Sequence, residues 1–143
     1  MMRSLKSLLN ILLTFLVMWP SGAVHAACLI GNPSLEQEYK GADMVFVGRV
    51  TSEGFTPESK NYLDGTTYTI HVEEMLRGSR SKNVRIFSEN TSGRFPMQAG
   101  ASYLILAYRN LDRLQVDSCG HSGEVSGKTK ALALLRKMKT GIR

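Results

Sequence analysis

The sequence lacks an apolar run long enough to cross a membrane as a helix. Its longest, Leu8 to Trp19, is a dozen residues broken by Asn10 and Thr14, where spanning takes about 20. It lacks a Cys-x-x-Cys pair, the spacing that dithiol redox centres and many zinc sites use. It has no internal repeat, no low-complexity tract and no linker long enough to divide it, so a single domain is expected. Its basic strands lack the interleaved aromatics that single-stranded nucleic-acid binding relies on. A nucleic-acid partner is therefore not expected.

What is present at the start reads as a secretory signal peptide over residues 1–26. Arg3 and Lys6 give a positive beginning, the Leu8–Trp19 run follows, and Pro20, Ser21 and Gly22 break it. Val24 and Ala26 then put small residues at the two positions that a signal peptidase reads. A cut after Ala27 would leave His25 three residues before the bond. A lipoprotein reading, with Cys28 acylated, meets the same His25 where a large aliphatic residue is wanted. Cleavage after Ala26 leaves residues 27–143 as the domain, exported to the periplasm or the extracellular space with no membrane-spanning segment.

Arg3 and Lys6 leave with the leader, so 18 basic residues become 16 against 12 acidic ones, a net charge of +4. That charge tolerates an anionic partner without demanding one. Both cysteines, Cys28 and Cys119, lie in the mature part. In an oxidising compartment the simplest reading is one disulfide, the alternative being two free thiols. Such a bond closes a loop of about 90 residues, worth roughly 4–5 kcal/mol as an upper figure.

Asn32-Pro33-Ser34 opens a short helix over Leu35 to Tyr39, ended by Gly41. Met44 to Val50 reads as a strand buried on both faces, with Gly48 marking a bulge or bend. Thr51 to Gly65 is polar and reads as a long hairpin connection. Thr66 to Glu73 alternates, with Tyr68, Ile70 and Val72 on one face and Thr67, Thr69 and His71 on the other. Val84 to Phe87, Ser102 to Tyr108 and Leu114 to Ser118 are further strands, and the second of these, the most apolar, is placed at the centre of the sheet. After Gly127, Ala131, Leu135 and Met138 form one stripe of an amphipathic helix whose other side carries Lys130, Arg136 and Lys137. The class is mainly β, and five short antiparallel strands with a terminal helix suggest a closed or nearly closed small barrel. A five-stranded barrel of the oligonucleotide/oligosaccharide-binding (OB) type, with a short N-terminal helix and a C-terminal amphipathic helix, fits, and periodicity alone does not separate it from a small sandwich.

Taken in order, Cys28, the segment Gly41-Ala42-Asp43-Met44-Val45-Phe46-Val47-Gly48-Arg49-Val50, Tyr68 to Val72 with Met75-Leu76-Arg77-Gly78, Gly100 to Ala107, and Leu114 to His121 resemble the netrin-like domain in its tissue-inhibitor-of-metalloproteinases form, including the bacterial exported relatives. The resemblance covers nearly all of the mature chain and implies the OB-type barrel. It also implies a partner, a zinc metalloprotease, and contact residues Ala27, Cys28, Leu29 and Ile30. In the inhibitors the α-amine and carbonyl of the N-terminal cysteine chelate the target's zinc, so the metal belongs to the partner and the domain has none of its own. The family's Cys-x-Cys start is Cys28-Leu29-Ile30 here, and Lys40 stands where another family cysteine falls. Spacing to Asp43 aligns Cys28 with the first family cysteine, while pairing with Cys119 aligns it with the second.

Lys130, Arg136 and Lys137 could serve an anionic polymer, or form an ordinary solvated helix face. His71, His121 and Cys119 are the candidates for catalysis, but a bonded cysteine has no thiolate. Glu73 and Glu74, adjacent on a strand, point to opposite faces and cannot act together. A monomeric binding domain is expected, with no cofactor and no enzymatic activity.

Overall fold

A computed structural model describes Cys28 and residues 33–141. The expected leader over residues 1–26 and the contact residues Ala27, Leu29 and Ile30 lie outside the described residues.

The short helix α1 spans Leu35–Gly41. Five strands follow: β1 (Met44–Thr56), β2 (Gly65–Arg77), β3 (Asn83–Glu89), β4 (Ser102–Asn110) and β5 (Arg113–Val116). A two-residue strand β6 (Gly123–Glu124), a 3-10 turn and helix α2 (Thr129–Lys139) close the chain. All pairings are antiparallel, and the strand order is β3-β2-β1-β4-β5, with β6 also on β4. The most apolar strand, β4, is interior, but β1 occupies the middle of the order. The edge strands β3 and β5 approach within 8 Å between Cα atoms without a hydrogen-bonded ladder between them. The sheet is therefore not closed by backbone bonds into a barrel.

Alternation along β1 and β4 divides the apolar residues between two cores. Phe46, Val50, Ile70, Ile86 and Ile105 pack on one face of the sheet. Val45, Val47, Leu104 and Leu106 pack on the other, under Leu132 and Leu135 of α2 and beside Leu35 and Tyr39 of α1. Burial of β1 on both faces explains its continuous apolar run. Gly48 sits at a register shift between β1 and β2. A Cβ there would lie 2.6 Å from Ile70 Cγ2 and 2.7 Å from the His71 carbonyl oxygen, so the bulge needs glycine.

The hairpin connection expected over Thr51 to Gly65 is shorter than the sequence indicated. β1 continues to Thr56 and pairs Ser52 with Thr69 and Thr56 with Gly65. Apart from the exposed Phe55 these residues are polar or glycine, and nearly all are exposed, so no apolar period marks them. Their backbone ladder alone makes the strand.

Candidate functional site

The corner that carries Cys28 is organised by a buried carboxylate. Ser34 caps α1: its Oγ accepts the Gln37 backbone N–H, and the Gln37 side chain accepts the Ser34 N–H. The helix is fixed to the sheet by the Tyr39 hydroxyl, which donates to the Leu76 carbonyl at 3.2 Å. Arg77 in turn donates to the Tyr39 carbonyl at 2.9 Å. This setting turns Glu38 inward until only 3 % of it is exposed.

Glu38 receives the loop that follows β5. The His121 backbone N–H donates to Glu38 Oε2 at 2.8 Å, and His121 Nδ1 lies 2.6 Å from the same oxygen. A buried carboxylate needs such donors, because leaving it unpaired costs several kcal/mol, on the order of the penalty for any desolvated charge. Gly120 packs against the Glu38 carboxylate, where no Cβ fits. One residue earlier, Cys119 donates its backbone N–H to Asp117 Oδ1 at 2.8 Å. Two residues after Gly120, buried Ser122 Oγ accepts the Leu106 N–H at 2.8 Å. The loop from Asp117 to Ser122 is thus held at each end and in its middle.

Cys119 in this loop is bonded to Cys28, 91 residues away, with the two Cα atoms 5.8 Å apart. The disulfide expected from the cysteine count is present, and the free-thiol alternative falls. Cys28 itself is exposed. On β4, the Tyr108 hydroxyl donates to the Glu38 carbonyl at 3.5 Å. Burial, then the negative charges of Glu38 and Asp117, push the Tyr108 phenol up to about 12, so it stays a neutral donor.

The remaining predicted residues are scattered over the surface. Arg136 forks onto the Glu74 carboxylate, with Nη2 to Oε2 at 2.6 Å, while Lys130 and Lys137 are exposed on the same helix. Glu73 bonds Arg49 at 3.2 Å. Adjacent Glu73 and Glu74 therefore serve different partners, as alternation requires. His71 is exposed beside Asn83, and His121 is engaged by Glu38. Among the described residues, no three His, Cys, Asp or Glu side chains converge where a metal could sit.

The reading of the sequence missed Glu38. A signal for it exists: Leu35, Glu38, Tyr39 and Ala42 share the face of α1 that packs inward, so a carboxylate there must find donors.

A scan against protein-family models and a search of curated proteins gave no match to this chain.

Proposed function

We propose that this chain is an exported binding domain of the netrin-like, tissue-inhibitor-of-metalloproteinases type, acting in the periplasm or outside the cell. It engages a protein partner, a zinc metalloprotease, through the N-terminal segment around Cys28. Two features support the fold side of the reading. The strand order, with β3 and β5 brought side by side, runs 1-2-3-5-4 and back to 1, the cycle of a five-stranded Greek-key barrel. A short helix precedes the strands and an amphipathic helix follows them.

The single observation that carries the functional side is the setting of Cys28. It is exposed and covalently fixed to a loop that is braced by a buried carboxylate. A segment held in this way loses little freedom on binding. If the mature chain begins at Cys28, its amine and carbonyl form a five-membered chelate. That chelate can replace the zinc-bound water of a protease. The α-amine sheds its proton more readily than a lysine amine. If Ala27 remains, the amine is displaced by about 3.8 Å and the chelate is lost.

Titrating a panel of zinc proteases with mature protein tests this. Inhibition by chain beginning at Cys28, abolished by one extra N-terminal residue, is expected. Full protease activity at micromolar inhibitor overturns it. In that case the domain is an interaction module for a protein or anionic polymer without inhibitory activity. Exposed Lys130 and Lys137 favour this second reading, and it predicts column retention that falls steeply with salt.

A further inference from the structure

We propose that the cleft between β3 and the β4–β5 hairpin binds an oxyanion, the carboxylate, phosphate or sulfate group of a larger ligand, through Arg85, Arg109 and Arg113. The site shares no residue with the Cys28 corner and stands independently of the protease reading. It has about 370 Å³ of space, within the range of small-ligand pockets, roughly 300–1,000 Å³.

Arg113 is the unusual member. Its guanidinium carbon lies 4.1 Å from the centre of the Tyr62 ring and 4.3 Å from that of Phe87. The two rings meet edge to face, with centroids 5.6 Å apart. They form an aromatic seat that stabilises the cation but offers its N–H groups no acceptor. Nη1 of Arg113 is buried and has no hydrogen-bond partner among the described residues. A buried donor left without an acceptor is costly, so the Arg113 guanidinium gains by shifting to meet an oxyanion that enters the cleft.

Two further guanidinium groups line the same cleft, and neither is engaged by a carboxylate. Among the described residues, the side chains of Arg85 and Arg109 have no hydrogen bond or ion pair, whereas Arg49 and Arg136 are both paired with glutamates. Asp112 also lines the cleft, but its Oδ1 accepts the Tyr62 hydroxyl at 3.0 Å. Three arginines against one aspartate leave the lining at +2. Thr56 and Thr67, whose hydroxyls share a hydrogen bond at 2.7 Å, add one further neutral donor. Arginine forks match the geometry of carboxylate, phosphate and sulfate oxygens. Phe87 and Leu114 give the cleft an apolar side for the rest of the ligand.

The test uses the disulfide-bonded mature protein, with the arginine Nε–Hε signals followed by NMR. Sodium phosphate, sodium sulfate and sodium citrate are titrated separately at constant ionic strength. At least one should shift the Arg85, Arg109 and Arg113 signals saturably, and the tightest of the three identifies the anion class. Loss of one charge-assisted contact should weaken binding about tenfold in Arg85→Gln and again in Arg109→Gln. Both residues are exposed, so these variants keep the fold even where Arg113→Gln, which empties the aromatic seat, does not. The proposal is overturned if no anion gives saturable shifts, if the Arg85→Gln/Arg109→Gln double variant binds like the parent, or if only the signal of Arg136 on α2 responds.

Discussion

Glu38 on α1 and His121 in the loop after β5 are 83 residues apart in the chain, yet His121 presents both its backbone N–H and its ring Nδ1 to one carboxylate. The pair joins the first helix to the segment that carries Cys119. It therefore controls the position of Cys28 through a bond that neither cysteine makes. Glu38→Ala removes the acceptor and leaves the part-buried His121 N–H without its partner. A loss of about 2–3 kcal/mol is expected in urea unfolding, together with faster reduction of the Cys28–Cys119 disulfide by dithiothreitol. Glu38→Gln keeps a carbonyl acceptor and should lose less. An unchanged urea midpoint in Glu38→Ala would mean that the loop is held by other contacts.

Gly48 offers a second, purely steric test. A methyl group there meets the Ile70 side chain and the His71 carbonyl at distances no relaxed Cβ adopts. The neighbour on one side is backbone in a paired strand, so it cannot simply rotate away. Gly48→Ala should cost about 1–3 kcal/mol as overpacking, read from the thermal midpoint. Gly54→Ala, in the same strand with nothing near its missing Cβ, is the control and should be close to neutral.

These two sites differ in how far the sequence exposed them. Gly48 could be read locally, as a glycine interrupting a run of β-formers. The alternation of Glu73 and Glu74 was equally local, and so was the stripe of Ala131, Leu135 and Met138. Thr51 to Thr56 carries no strand signal, because its strand is held by backbone pairing with no buried side to impose a period. β6, at two residues, is too short to carry any pattern. The Glu38–His121 pair and the seat of Arg113 between Tyr62 and Phe87 join residues distant in sequence. Periodicity contains no information about such contacts, although an inward-facing glutamate on α1 announces that a partner exists.

The disulfide should contribute a large part of the stability. It closes a span of 91 residues, and the loop-entropy figure for such a span is roughly 4–5 kcal/mol as an upper bound. The double variant Cys28→Ser/Cys119→Ser is expected to unfold at markedly lower urea concentration than the parent, with an unchanged slope if the native fold survives. Reductant should destabilise the parent and leave the double variant untouched. A parent insensitive to reductant would show that the N-terminal tether adds little to the folded state.

Stability should also decline at both extremes of pH, for separate reasons. Tyr108 has its phenol pushed up to about 12, chiefly by burial, from the ordinary value of 10.0. The folded state therefore favours the neutral form. That contribution is complete below pH 10 and is lost as pH rises from there toward 12. At the acid end Glu74 is held below its ordinary 4.5, first by the hydrogen bond from Arg136. Its contribution is present above pH 4.5 and disappears as pH falls through the lowered value. The Glu74–Arg136 pair is largely exposed, so solvent screening limits it to less than about 1 kcal/mol. Urea midpoints measured across pH for the parent, Tyr108→Phe and Glu74→Gln separate the two. Tyr108→Phe should flatten the alkaline decline and leave the acid side as it was. Glu74→Gln should do the reverse, with the smaller amplitude, because the Glu74–Arg136 pair is screened by water, whereas Tyr108 has its half-buried ring packed at α1 beside Gly41. An alkaline decline that persists unchanged in Tyr108→Phe would assign it to another group.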